Sequence, residues 1–111
     1  MKVGQNTWIG PFTVLDGSGG LEIGNNCSIS AGVQIYSHDT VMWATSTGVE
    51  QIEYGNVKIG NDCYLGPNVV ISKGIIIGNQ CVIGANSFVN RNIPSGLRAW
   101  GNPAKIIKSN N

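Results

Sequence analysis

The chain has 111 residues, enough for one domain with its own core but few for an enzyme that builds a whole site alone. Charged residues make up 12% and the formal net charge is +1, which argues against nucleic acid as the main partner, because counterion release needs a basic face. No apolar run approaches the ~18 residues that span a bilayer and no basic, apolar leader follows Met1, so the expected location is the cytoplasm.

From the N-terminus, aliphatic residues return every six positions: Val3, Ile9 and Leu15, then Ile23, Ile29 and Ile35. Between Leu15 and Ile23 the step is eight, so "DGSGGLE" carries two extra residues. After an interruption the hexads resume at Ile59, Leu65, Ile71, Ile77, Ile83 and Val89. Glycine commonly follows the aliphatic residue, as at Gly4, Gly10, Gly24, Gly60, Gly66, Gly78 and Gly84. A six-residue period is neither helical nor a simple alternating strand. It suits a short strand and a sharp corner, where glycine or asparagine supplies the unusual backbone angles.

Three such units close a triangular coil of 18 residues, and successive coils stack at the inter-strand spacing of ~4.8 Å. The pattern predicts three inward columns: Val3–Ile23–Ile59–Ile77, Ile9–Ile29–Leu65–Ile83 and Leu15–Ile35–Ile71–Val89. The fold is all-β, a parallel β-helix of about four coils and ~20 Å in height, spanning residues 1–94 with a C-terminal extension or cap at 95–111, where "PAKIIKSNN" is expected to form a short turn of helix over one end. Cys27, Cys63 and Cys81 are odd in number, show no C-x-x-C spacing and fall in one column with Thr7, so small buried thiols are expected.

Residues 40–56 break the repeat and are expected to leave the prism as a loop at one corner. The only histidine, His38 in "YSHD", stands at the fourth position of its hexad and should face outward at the base of that loop. Imidazole changes charge between pH 5 and 8, which suits a general base. Asp39, Glu50 and Glu53 are candidates to orient it, and the sequence does not choose among them.

"IGNDCYLGPNVVISKGIIIGNQCVIGANSFVNRNIPSG" followed by "GNPAKII" resembles the hexapeptide-repeat (isoleucine-patch) acyltransferases, which include sugar O- and N-acetyltransferases and the xenobiotic and galactoside acetyltransferases. The resemblance covers nearly the whole chain and implies a left-handed coil, against the usual right-handed crossover rule. It implies an acetyl-CoA-dependent transfer to a sugar hydroxyl, in surface polysaccharide or carbohydrate metabolism, with His38 as the base. It also implies a homotrimer with sites between subunits. Tyr64, Gly66, Ala85, Asn90, Arg91, Lys105 and Lys108 match positions that contact coenzyme A in relatives, and Trp43 and Tyr54 are the candidates to stack on the acceptor. Pro67 removes an N–H that relatives commonly offer beside the thioester. The tetrahedral oxyanion would take a backbone N–H from a glycine corner.

Transfer to the amine of an amino-sugar nucleotide is the alternative, since the chemistry at His38 would be the same. A zinc lyase on the same fold needs three histidines, and the chain has one, so no metal is expected. A non-enzymatic solenoid would show a flat threonine face, which the threonines do not form.

Overall fold

The computed structural model describes residues 1–109, with side chains through residue 107. The first coil consists of β1 (Lys2–Val3), β2 (Trp8–Ile9) and β3 (Val14–Leu15), the second of β4 (Leu21–Ile23), β5 (Ser28–Ile29) and β6 (Gln34–Ile35). An excursion follows: β7 (His38–Asp39), a helical turn α1 (Val41–Thr45) and β8 (Glu53–Tyr54). The third coil is β9 (Val57–Ile59), β10 (Tyr64–Leu65) and β11 (Val70–Ile71), and the fourth is β12 (Ile76–Ile77), β13 (Val82–Ile83) and β14 (Phe88–Val89). Strands β15 (Leu97–Gly101) and β16 (Ala104–Ser109) complete the described chain.

Three parallel walls result, in the orders β1-β4-β9-β12, β2-β5-β10-β13-β15-β16 and β3-β6-β11-β14, with only the terminal β15–β16 pair antiparallel. The registers reproduce the expected columns. Val3 pairs with Ile23, Ile23 with Ile59 and Ile59 with Ile77. Ile9, Ile29, Leu65 and Ile83 align on the second wall, and Leu15, Ile35, Ile71 and Val89 on the third. From the second coil upward these aliphatic side chains are buried, whereas Ile9 and Leu15 of the first coil are only partly covered. The cysteines lie in the interior as free thiols, and Cys27, Cys63 and Cys81 donate to the carbonyls of Gly60, Gly78 and Pro94.

The corners bear out the expectation that glycine or asparagine supplies the unusual backbone angles, as at Asn6, Asn26, Asn68 and Asn86 and at Gly20, Gly32 and Gly74, but the glycines beside the aliphatic positions have another role. Left-handed backbone falls mainly on polar residues, Asn6, Asn26, Asp62 and Gln80 at the first corner and Asn68 and Asn86 at the second. Asparagine tolerates that region through local hydrogen bonding. The glycines after the aliphatic positions are needed instead for space. A Cβ on Gly24 or Gly60 would stand 2.4 Å from Oδ1 of Asn61 or Asn79 in the next coil. Those oxygens accept the N–H groups of Asn25 and Asn61, so glycine makes room for an asparagine ladder up the corner.

The C-terminal segment also departs from expectation. In place of the helical turn expected of "PAKIIKSNN", its described part is strand β16, hydrogen-bonded to β15. The reason is alternation: Ala104 is buried, Lys105 exposed and Ile106 half-buried, a period of two that continues the second wall. Six strands on that wall give it a height of about 24 Å. Among the described residues no helix is long and apolar enough to cross a membrane.

Candidate active site

At the third corner the chain turns from the third wall back to the first, and every coil brings polar residues there: 16–20, 36–56, 72–75 and 90–92. The excursion leaves the second coil at this corner and returns to it, because β7 and β8 pair antiparallel with His38 opposite Tyr54 and Asp39 opposite Glu53. Opposite residues in such a pair share a face. One face therefore carries His38 and Tyr54, with ring centroids 6.3 Å apart, and the other carries two carboxylates.

The His38 face meets the coil below. His38 Nδ1 lies 2.5 Å from Asp16 Oδ2, and the Ser18 hydroxyl lies 3.2 Å from the same nitrogen. Asp16 Oδ2 also accepts the Ser37 N–H, and Oδ1 accepts the Ser18 N–H, both at 2.9 Å. Partial burial pushes the Asp16 carboxyl up, but the hydrogen bonds from Ser18, His38 and Ser37 outweigh it and hold the group well below the usual carboxylate range. An ionised carboxylate only accepts, so Nδ1 of His38 carries the proton and Nε2 of the neutral ring keeps its lone pair. The imidazole is about a third exposed, open to a reactant on that side.

Gly19 fixes the height of this arrangement. Its N–H donates to Ser37 Oγ, which donates in turn to the Asp16 carbonyl. A Cβ at Gly19 would stand 2.1 Å from the Ser37 carbonyl oxygen, so any larger residue displaces the strand that leads into His38.

The opposite face meets the coil above. Lys73 Nζ lies 2.8 Å from Asp39 Oδ2 and 3.5 Å from Glu53 Oε2. The Lys73 ammonium holds Asp39 below the usual carboxylate range, helped by the Val41 N–H, and Asp39 in turn raises Lys73. Beside this ion cluster a groove of about 450 Å³ runs along the outer face of the third wall, with Val70 and Phe88 among its lining and Tyr36, His38, Val41 and Lys73 nearer the corner.

The orienting carboxylate is thus Asp16, which the sequence reading did not consider. Asp39 and Glu53 serve Lys73, and Glu50 lies out in the loop, exposed. The signal for Asp16 was the pair of extra residues in "DGSGGLE", an irregularity at the same corner one coil earlier. Lys73 was reachable by the same column logic, one coil later.

Tyr54 packs near His38, while Trp43 sits half-exposed on α1. Tyr64 faces outward on the second wall, and Gly66 and Ala85 share the second corner, where a Cβ on Gly66 would stand 2.7 Å from Ala85 N. Asn90 and Arg91 are exposed at the third corner in the fourth coil, and Lys105 is exposed on β16. The Lys108 side chain lies outside the described residues. The second and third corners flank the third wall from opposite edges, so Tyr64, Gly66, Ala85 and Lys105 lie away from His38, whereas Asn90 and Arg91 share its corner two coils above. The glycine-corner N–H groups named for the oxyanion already have acceptors. Gly4, Gly10, Gly24, Gly60, Gly66, Gly78 and Gly84 all donate to carbonyls of a neighbouring coil.

A triangular parallel β-helix of six-residue rungs, interrupted once to present a carboxylate-held histidine, defines a hexapeptide-repeat protein of the left-handed class. The chain belongs to the hexapeptide-repeat transferase family: residues 56–91 match the bacterial transferase hexapeptide family (six repeats), and residues 1–37 match the hexapeptide repeat of succinyl-transferase. It is 42% identical over 90 residues to Protein CapG of Staphylococcus aureus, covering 80% of this chain and 52% of that one. It is 39% identical over 110 residues to the polysialic acid O-acetyltransferase of Escherichia coli, covering 97% of this chain and 36% of that one. A hexapeptide-repeat acetyltransferase of Vibrio cholerae, solved with acetyl coenzyme A, superposes with a TM-score of 0.88 at 30% identity over 96% of this chain and 58% of its own. The chain spans about half or less of the length of the two curated relatives.

Proposed function

We propose that the protein is an acetyl-CoA-dependent acetyltransferase acting on a sugar hydroxyl, in the making of surface polysaccharide or a related carbohydrate, with His38 as general base. The observation that carries this reading is the Asp16–His38 contact, which fixes the tautomer and leaves Nε2 unprotonated. In the reaction, Nε2 takes the acceptor hydroxyl proton as the oxygen bonds to the thioester carbonyl carbon. The tetrahedral oxyanion then collapses, the C–S bond breaks, and the imidazolium returns its proton to the departing thiolate. Asp16 stabilises that imidazolium without itself becoming protonated. Similarity to an O-acetyltransferase of a sialic acid polymer favours oxygen over nitrogen as the acceptor atom.

Acetyl-CoA as co-substrate fits the exposed chemistry. Ala85 N–H takes no part in the inter-coil bonds among the described residues, so it is the donor we assign to the pantetheine arm or the oxyanion. Tyr64, Gly66 and Asn90 would line the cofactor's path, with Arg91, Lys105 and Lys108 toward its phosphates. Because the second and third corners lie on opposite edges of a wall, we place the cofactor between two subunits of a homotrimer, one supplying His38 and its neighbour the second corner. Trp43 and Tyr54 would stack on the acceptor ring, and the supply of acetyl-CoA makes the cytoplasm the site of reaction.

The test is acetyl transfer from acetyl-CoA to hydroxyl and amino sugars, free and nucleotide-linked, by wild type and His38→Ala. Loss of turnover by on the order of a hundredfold or more with CoA binding retained is expected. Unchanged turnover removes His38 as base, and a preference for amines replaces the hydroxyl reading. A solution mass of one chain removes the intersubunit site.

A further inference from the structure

We propose that Lys73 is a positioning residue for the reaction: by tying Asp39 and Glu53 together it holds the two-stranded β7–β8 ribbon closed and so keeps His38 against Asp16 and Tyr54 beside it. The inference rests on the reading of His38 as base but concerns a side chain one coil away from it.

The ribbon is a weak element. It consists of two residue pairs, and a lone two-stranded pair is at best marginal in water. One of its two pairs sets Asp39 directly opposite Glu53, and like charges in that position destabilise a sheet. The other pair carries the catalytic imidazole. Lys73, from the corner after β11, reaches both carboxylates, at 2.8 and 3.5 Å. It turns a repulsive pair into a three-charge cluster and joins it to the third coil, anchored two residues earlier by the fully buried Ile71. The return of the chain is stacked on the same corner. Gly55 N–H donates to the Ser37 carbonyl, Gly74 N–H donates to the Gly55 carbonyl, and a Cβ on Gly55 would stand 2.8 Å from Gly74 N. The ribbon is thereby a shelf clamped between Asp16 below and Lys73 above, and loosening the upper clamp frees the base on the lower face.

The experiment compares Lys73→Met, Lys73→Arg and the triple variant Lys73→Met/Asp39→Asn/Glu53→Gln in the full chain. Turnover is followed by acetyl transfer, and the shelf by amide exchange over 38–54. The single imidazole signal in proton–carbon NMR reports the base directly, since the chain has one histidine. Lys73→Met is expected to lower kcat by about ten- to a hundredfold, to shift the imidazole signal and to speed exchange. Lys73→Arg restores all three, and so does the triple variant, because neutral partners no longer repel. An unshifted imidazole and unchanged exchange in Lys73→Met overturn the proposal. So does a triple variant whose exchange recovers while kcat does not, since that result places the ammonium on a reactant. Exchange and NMR need no acceptor, so Lys73 is still judged if His38→Ala shows the base assignment to be wrong.

Discussion

Asp16→Asn is the sharpest probe of the site, because both carboxylate oxygens are already committed. Oδ2 accepts from His38 and from the Ser37 N–H, and Oδ1 accepts from the Ser18 N–H. An asparagine has one oxygen and one NH2, so either orientation sets a donor against a donor. With NH2 in the Oδ2 place it faces the Ser37 N–H and makes Nδ1 of His38 an acceptor, which protonates Nε2 and disables the base. With NH2 in the Oδ1 place it faces the Ser18 N–H and the tautomer survives, but the charge opposite the imidazolium is gone. A hydrogen bond to a charged group contributes about 1.5–3 kcal/mol, and partial exposure of His38 favours the low end. The expected fall in kcat is therefore roughly ten- to a hundredfold, with KM for acetyl-CoA little changed. The assay is steady-state thiol release from acetyl-CoA with the best acceptor found, for Asp16→Asn, His38→Ala and the double variant. Residues that act as a unit are non-additive, so the double variant should be no slower than His38→Ala. Wild-type kcat in Asp16→Asn, or losses that multiply in the double variant, would refute the dyad.

Gly19→Ala should lower turnover and melting temperature together, since its Cβ would collide with the Ser37 carbonyl; thermal melts and kcat measured on one preparation check this. All three thiols should resist a disulfide reagent in the folded protein and react only in denaturant, as Cys27, Cys63 and Cys81 are almost wholly buried. Rapid labelling of any thiol in the native state would contradict that. The clamp on the shelf should have a pH window. Asp39 is lowered, so its contribution is complete above 3.8 and fades as pH falls through its folded value. Lys73 is raised, so its contribution is complete below 10.5 and fades as pH rises through its own. Side-chain NMR shifts of Lys73 followed across pH should stay level between those limits and move outside them.

Much of the fold was legible in the sequence because a β-helix is nearly one-dimensional. Each rung touches only the rungs beside it, so a six-residue count converts directly into columns, and the registers of Ile29, Leu65 and Ile83 follow from counting alone. The corners were less legible. Counting shows that glycine recurs, but whether it recurs for backbone angle or for space depends on what the next coil places above it, and there the Asn61 and Asn79 side chains decide. The terminal strand was misjudged for a related reason. A short segment has little intrinsic preference, and the open upper edge of β15 is what makes Ala104–Ser109 a strand.

For the site, the sequence by itself determined that a lone histidine would emerge at the one corner where the repeat breaks. Only the tertiary structure decided its partners. Asp16 lies 22 positions away from His38, and Lys73 lies 34 beyond Asp39, yet coil stacking brings both to the same corner. Asp39 and Glu53 lost that competition because strand pairing turns them to the face opposite His38, and Glu50 stays exposed in the loop. A period of two along β7 separates adjacent side chains, so His38 meets the coil below and Asp39 the coil above.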